Sequence, residues 1–351
     1  MRKILHVIDS IYVGGAGKLL CNTIPELTEF DHLIVTLFPS EDISLLPSNA
    51  AHKCLNAKKV TDLPMKSHLY KSILKAYQPD LVHAHLYFAT LFAKGLTPSS
   101  IPFVFTQHFE FSKNAEKWYY RIAEKIVSNK KQHGIAVSNA VLKDYVNVTS
   151  FKGKMQVIEN FIPDNYFRDE LGRSTDKNTT LKLVALGNLK PIKNHQYILD
   201  AFEYLKDLDV SCDIYGEGDL KGMLEKKANN NGLQVYFRGK VNDPTTIFSQ
   251  YDIFIMPSLT EGFPLALFEA MSHKLPVIVS DIPVFHEILE EKGNYVPLNN
   301  PAQLRQVIQT YLQDRNKIQT DGEQMRNLAL IKASKKVYLD KLRALYNRII
   351  R

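Results

Sequence analysis

The chain has 351 residues, 45% of them hydrophobic and 23% charged, which suits two globular domains of ordinary size and excludes a disordered, collagenous or repeat protein. Its 44 Lys and Arg against 37 Asp and Glu give a net charge of +7, an excess that fits an anionic substrate, an anionic membrane or nucleic acid without choosing among them. Three scattered cysteines, Cys21, Cys54 and Cys212, make neither a disulfide framework nor a zinc pattern.

Met1-Arg2-Lys3 is followed by a short apolar run, Ile4 to Ile8, too short for the core of a signal peptide. No stretch approaches the roughly 18 apolar residues of a membrane span, so a cytoplasmic protein is expected. Strands are predicted at Lys3–Ile8, His32–Phe38, Leu81–His83, Pro102–Thr106 and Gly134–Val137, each followed by a turn or helix such as Gly17–Leu27. Gly14-Gly15-Ala16-Gly17 lies between the first strand and its helix, where amides of small residues can approach a phosphate. It is not a P-loop, since positions 12 and 19 are Tyr and Leu, nor a G-x-G-x-x-G fingerprint, since position 20 is Leu.

His83 and His85 flank Ala84 at a strand end and are expected to face opposite sides, so that a shared metal would need an unusual turn. His83 is read as a buried, hydrogen-bonded histidine, and His108 as a residue just beyond a strand, where a ligand site would lie. From Lys113 to Lys154 there are nine basic and three acidic residues, interleaved with Trp118, Tyr119, Tyr120, Ile122 and Ile126 at helical spacing. That stretch admits a peripheral contact with an anionic membrane. The expectation preferred here is a solvated basic helix with its apolar face in the core.

The second half repeats the alternation, with strands predicted at Leu181–Leu186, Val210–Tyr215, Val235–Arg238, Ile253–Met256 and Pro276–Val279. Two such series imply an α/β chain of two doubly wound Rossmann-like domains facing each other across a cleft. The expected boundaries are 1–165 and 181–334 for the two domains, 166–180 for a polar linker and 335–351 for a final helix. That helix is predicted from Val337, Leu339, Leu342, Leu345 and Ile349.

Two segments of the second half carry candidate chemistry. Lys193, in the run Gly187 to Asn194 after a strand, is a point charge beside a helix start. After the strand Ile253–Met256 comes Pro257-Ser258-Leu259-Thr260-Glu261-Gly262-Phe263-Pro264-Leu265-Ala266-Leu267-Phe268-Glu269-Ala270. There the amides of Gly262, Phe263 and Leu265 can face a phosphate, whereas Pro264 has none to give. A carboxylate accepting two hydroxyl hydrogens is a natural ribose clamp. From the residues alone, two solvated glutamates on a capped helix are an equally open reading.

Glu261 and Glu269, within E-G-F-P-x-x-x-x-E, resemble the signature of glycosyltransferase family 4. The resemblance extends through Gly14-Gly15-Ala16, Val82-His83-Ala84-His85, Thr106-Gln107-His108, Ala136-Val137-Ser138, Val157 to Ile162, Gly187 to Asn194, Tyr215-Gly216-Glu217-Gly218 and Phe237-Arg238-Gly239. It implies a GT-B fold in which 1–165 is the acceptor-side domain, 181–334 binds the nucleotide sugar and the final helix crosses back onto the first domain. It further implies transfer of a sugar, with retention and without a metal or other cofactor, from a nucleotide-sugar donor to a glycan or lipid-linked acceptor. UDP-sugar is the default donor, with GDP next, and surface polysaccharide the expected product.

By the same resemblance, Glu261 would bind the donor sugar, Glu269 the ribose and Lys193 the diphosphate. Gly14 and Gly15 would close over the phosphates, and His108 would lie at the reacting centre. Asn188 stands where many members have Arg, a substitution that shifts phosphate neutralisation onto Lys193, the helix amides and Arg238. The rival expectations are a nucleotide-sugar 2-epimerase on the same fold and a non-catalytic nucleotide-sugar-binding protein. Nucleic acid is not an expected partner, because the basic residues form no reading module.

Overall fold

The computed structural model describes residues 1–11, 15–40, 43–114, 118–167 and 180–350, with 113 and 114 described by their backbone alone. They fall into two compact units, one of residues 1–161 and 335–351, the other of residues 162–334.

The first unit is built on an all-parallel sheet. Its strands are β1 (Arg2–Ile8), β2 (Phe30–Thr36), β3 (Ala50–Cys54), β4 (Leu81–His85), β5 (Phe103–Gln107), β6 (His133–Ala136) and β7 (Lys154–Val157), in the order β3-β2-β1-β4-β5-β6-β7. Successive residues of a strand point to opposite faces, so a strand covered on both sides reads as one apolar run. β1 shows this directly. Leu5 and Val7 join Val82, Ala84, Phe103 and Phe105 in a core shared with the helices Leu63–Tyr77, Tyr87–Leu96 and Asn139–Thr149. Ile4 instead joins Leu81, Val104 and Ile135 in a core shared with the helix Lys335–Ile349. That last helix presents Tyr338, Leu339, Leu342, Leu345 and Tyr346, a stripe at i, i+1, i+4, i+7 and i+8. Val337, expected in the stripe, is 46% exposed.

The helix expected in the basic stretch is present at Trp118–Val127, but it is rotated against the expectation. Glu124 is buried, while Trp118, Ile122 and Ile126 are exposed. A buried polar cluster sets the rotation: Lys94 and the Tyr145 hydroxyl both donate to Glu124 Oε1, and Lys94 also donates to Tyr145 at 2.9 Å. Leaving Lys94 buried without its carboxylate would cost about 3–5 kcal/mol. That is comparable with what burying two isoleucines would gain, so the ion pair can hold the helix as it is.

The second unit has its own all-parallel sheet. Its strands are β8 (Leu181–Leu186), β9 (Val210–Tyr215), β10 (Val235–Gly239), β11 (Ile253–Met256), β12 (Val277–Ser280) and β13 (Asn294–Val296), in the order β10-β9-β8-β11-β12-β13. Leu183, Ala185, Cys212, Ile214, Ile253 and Ile255 pack there with Tyr197 and Phe202 of the helix His195–Phe202 and with Ile308 and Tyr311 of the helix Leu304–Gln313. Of the expected linker, residues 168–179 lie outside the described residues, while Phe167 O accepts from Arg326 Nη2 at 2.8 Å. No described helix is long and apolar enough to cross a membrane.

Three strands were not foreseen: β3, β7 and β13. All three close an edge of their sheet. An edge strand has one side open to solvent and carries polar residues there, so Ala50-Ala51-His52-Lys53-Cys54, Lys154-Met155-Gln156-Val157 and Asn294-Tyr295-Val296 lack the apolar run that marks an inner strand.

Candidate functional site

In an open parallel sheet, ligands bind beyond the carboxyl ends of the strands, where the strand order reverses. In the second unit that point lies between β8 and β11, since the chain winds from β8 to β9 and β10 on one side and from β11 to β12 and β13 on the other. The loops leaving these two strands, residues 187–194 and 257–264, are tied together. Lys193 Nζ donates to Glu261 Oε1 at 2.6 Å, and Ser258 Oγ donates to the same oxygen at 2.7 Å. The backbones are joined as well, by Leu259 N to Ile192 O at 2.9 Å and Asn194 Nδ2 to Pro257 O at 3.2 Å. Asn194 takes φ +51°, a left-handed conformation that Asn tolerates better than most residues, and so ends the 3-10 turn Pro191–Lys193 just before the helix His195–Phe202.

The neighbouring loop, after β9, approaches as closely as backbone allows. Gly216 has φ +153°, and a Cβ there would lie 2.0 Å from the Gly187 carbonyl oxygen. On the other side, Ser280 at the end of β12 donates its hydroxyl to Ser258 O at 2.5 Å. These contacts fix Lys193 and Glu261, whose side chains are 27% and 10% exposed.

Beyond Glu261 the chain turns into the helix Leu265–Ser272, with Pro264 as its cap. The first turn of any helix has amides without intrahelical acceptors, so Leu265 and the preceding Gly262 and Phe263 offer N–H groups there. Phe263 stacks on Phe268, ring centroids 4.4 Å apart, which anchors the turn. Glu269 is buried one turn into the helix. A cation, two carboxylates and a helix start therefore collect at one sheet reversal, a set suited to a phosphorylated, hydroxyl-rich ligand.

Residues 13–166 match the family described as Glycosyltransferase Family 4, and residues 180–314 match Glycosyl transferases group 1. The chain is a glycosyltransferase of the family 4 type. It is 26% identical over 306 residues to the capsular polysaccharide biosynthesis glycosyltransferase CapH of Staphylococcus aureus, covering 82% of this chain and 84% of that protein. It is 28% identical over 254 residues to the UDP-Gal:alpha-D-GlcNAc-diphosphoundecaprenol alpha-1,3-galactosyltransferase of Escherichia coli, covering 65% and 64%. The fold resembles that of Anabaena Alr3699/HepE, solved in complex with UDP and glucose, with a TM-score of 0.84 at 17% identity over 99% and 100% of the two chains. Two parallel-sheet Rossmann-like domains and this likeness make the fold GT-B.

The other residues expected in this family 4 glycosyltransferase are placed as follows. Asn188 is exposed in the loop after β8. Arg238, at the end of β10, donates from Nε to Asp213 Oδ2 at 2.9 Å, and the Tyr251 hydroxyl donates to the same oxygen at 2.7 Å. The contacts of Arg238 are thus with Asp213 of β9 and the Tyr236 ring rather than with Lys193 or Glu261. In the first unit, Gly14 lies outside the described residues, and Gly15 opens the helix Gly15–Thr23. His108, one residue past β5, is buried, its Nε2 has no partner among the described residues, and burial pushes its pKa down to about 4.

His83 and His85 do not face opposite sides. Their ring centroids are 4.1 Å apart, because residues two apart in a strand share a face. His6, from the neighbouring β1, lies against both, at 5.9 and 5.8 Å. One nitrogen of each of His6, His83 and His85 lies within 4.8 Å of the others, close enough to consider a shared ion. His83, however, bonds through Nδ1 to the Tyr346 hydroxyl and through Nε2 to Thr106 Oγ1, so it would have to abandon a partner to ligate. As expected for His83 alone, it is a buried, hydrogen-bonded residue.

Sequence reasoning missed Ser258, Asn194 and Asp9. Ser258 stands three residues before Glu261, within hydrogen-bond reach in a tight turn, which is a usable signal. Asn194 before a helix gives the ordinary reading of a cap, and its long-range bond is invisible in sequence. Asp9 follows β1, at the reversal of the first sheet between β1 and β4. Its carboxylate accepts from Ala89 N at 2.7 Å, and burial raises its pKa to about 6.

Proposed function

We propose that this glycosyltransferase moves a sugar from a nucleotide-diphosphate donor, UDP-linked by preference, to a hydroxyl of a glycan or lipid-linked acceptor in surface polysaccharide synthesis, with retention of anomeric configuration. The observation that carries the reading is the Lys193–Glu261 junction at the reversal between β8 and β11. It sets a fixed cation beside a carboxylate where a ligand is expected. Capsule synthesis by the CapH relative, the UDP-Gal donor and diphosphoundecaprenol acceptor in the name of the E. coli relative, and UDP in the Anabaena structure support the choice of substrates.

In this reading Lys193 and the turn amides of Gly262, Phe263 and Leu265 neutralise the leaving diphosphate, the larger part of the catalytic task. Glu269 accepts the ribose hydroxyls, and Glu261 accepts hydroxyls of the donor sugar. Arg238 joins the phosphate contacts only by leaving Asp213 or by using its free guanidinium N–H groups, and Asn188 offers an amide where a guanidinium would carry charge. His108 is neutral at physiological pH and can donate to or accept from a sugar hydroxyl, but it cannot supply a positive charge.

Bond cleavage releases the nucleoside diphosphate from the anomeric carbon. The acceptor oxygen bonds to the same face of that carbon, and its proton passes to the departing phosphate oxygen. No carboxylate in this set is assigned as a covalent nucleophile, and no metal ligand is required. A screen of donor hydrolysis across UDP- and GDP-sugars, followed by the anomeric proton coupling of the product, tests the reading. An inverted linkage removes the front-face path. Epimerised or free sugar formed without any acceptor favours an epimerase, and no turnover of any donor favours a binding protein.

A further inference from the structure

The helix Trp118–Val127 is turned inside out. Trp118, Ile122 and Ile126 stand four residues apart and so form one ridge. Their exposures are 70%, 48% and 77%. The inward side is given instead to Glu124, Tyr120 and Val127, and Glu124 is pinned there by Lys94 and Tyr145. The rotation is therefore built into the first unit's core, and the ridge faces outward in consequence.

The ridge has a cationic border. Arg121 and Lys125, one turn apart, run beside it, and Lys130 and Lys131 follow the helix, all four exposed. Among the described residues none of the four has an acidic partner. Past the carboxyl end of the helix, Lys130 and Lys131 meet Lys154 and Arg348 in a shared groove that also touches Phe103 and His133. Phe103, His133 and Lys154 are the first residues of β5, β6 and β7, so this charge gathers at the amino ends of the strands. Donor and acceptor chemistry belongs at the opposite, carboxyl ends, and does not account for it.

Apolar side chains in contiguous exposure mark an interaction surface. A second copy of this face would bring the same cations against one another across a twofold axis, which opposes self-pairing. An anionic bilayer meets both features. Isoleucines enter the boundary between headgroups and acyl chains, Trp settles at that level, and Lys and Arg reach lipid phosphates.

We propose that the helix Trp118–Val127 seats the first unit on an anionic membrane surface. Trp118, Ile122 and Ile126 insert, and Arg121, Lys125, Lys130 and Lys131 lie at the headgroups. The inference stands apart from the donor chemistry, none of whose assigned residues lies on this helix.

The chain has a single tryptophan, Trp118, so intrinsic emission reports on the ridge itself. The full-length protein is titrated with vesicles of phosphatidylcholine alone and of phosphatidylcholine mixed with phosphatidylglycerol. The mixed vesicles are expected to shift the emission to the blue and to co-sediment the protein, with affinity falling as salt rises. Each cation contributes roughly fivefold to the affinity, so R121Q with K125Q weakens binding about 25-fold. I122S with I126S abolishes the blue shift and the sedimentation, while donor hydrolysis continues at the wild-type rate. Emission unmoved by the mixed vesicles, or a serine variant that binds like wild type, overturns the proposal. So does lipid-free self-association that the serine substitutions remove, since the ridge is then a protein interface.

Discussion

Lys193 Nζ and Glu261 Oε1, 68 residues apart in the chain, stand 2.6 Å apart and bridge the loops that leave β8 and β11. Ser258 shares the same carboxylate oxygen. The geometry gives Lys193 two tasks that a substitution separates. As a structural partner it is partly exposed, and Ser258 continues to hold Glu261 without it, so Lys193→Met should lower stability by only about 1 kcal/mol. As the cation for a departing diphosphate it should matter far more, with transfer falling by about 10²-fold or more. Urea unfolding and initial rates on the same preparation separate the two. A methionine variant with wild-type kcat/KM would remove Lys193 from the chemistry.

The two glutamates should fail differently. Glu261→Gln keeps the shape of the side chain and a hydrogen bond from Ser258, but presents one amide in place of a carboxylate to the donor sugar. Its expected signature is a loss in kcat with nucleotide affinity little changed. Glu269→Gln weakens a charge-assisted bond to ribose and should raise the dissociation constant of the nucleoside diphosphate about tenfold. Calorimetric titration with UDP distinguishes them, and equal effects of both variants on UDP binding would refute the division of roles.

Much of this site is legible in the sequence. The inner strands β8 and β11 fall on the expected residues because their runs are almost wholly apolar, and β9 does so because Val210, Cys212 and Ile214 alternate with Ser211 and Asp213 as in a strand with one buried face. Lys193 and Glu261 follow two such strands, so the general rule for open sheets already places them at loop positions. Their partnership was not legible, since nothing in a sequence says that β11 lies beside β8 rather than beyond β10. The rotation of Trp118–Val127 was hidden for a related reason. Its apolar periodicity argues for burying Ile122 and Ile126, and the contrary signal, Lys94 and Tyr145 waiting for Glu124, comes from elements distant in the chain.

The buried histidines should make the fold acid-labile. Burial first, and neighbouring imidazoles second, hold His6, His83 and His85 below the ordinary histidine range, and burial takes His108 to about 4. His195 is likewise lowered to about 4 by burial and by nearby Lys193. Each of these groups binds its proton more tightly in the unfolded chain. Their contribution is therefore complete above pH about 6.5 and drains as pH falls toward the folded values, by up to about 1.4 kcal/mol per pH unit for each histidine. Asp9 has the opposite sign, since its raised pKa of about 6 adds stability at low pH that is lost as pH rises through 6. One carboxyl against five histidines leaves the net slope with the histidines. Urea midpoints at pH 7.5, 6 and 5 should fall in that order, and a flat series would show that the layer is not buried in solution.

The junction of the loops after β8 and β9 gives a paired test with opposite outcomes. At Gly216, φ +153° disfavours any side chain, and a Cβ would lie 2.0 Å from the Gly187 carbonyl oxygen, a backbone atom that cannot step aside cheaply. Gly216→Ala should cost about 3 kcal/mol or more from strain and overlap together, and should displace the loop that carries Lys193. At Gly187 a Cβ would meet only the aliphatic stem of Lys193, at 3.6 Å, an ordinary van der Waals separation. Gly187→Ala should therefore be close to neutral in stability, and its effect on transfer should come only through the freedom left to the Lys193 side chain. If thermal melts show both alanines equally tolerated, the close approach of the two loops is wrong. If both are equally damaging, the space beside Lys193 is tighter than the 3.6 Å separation allows.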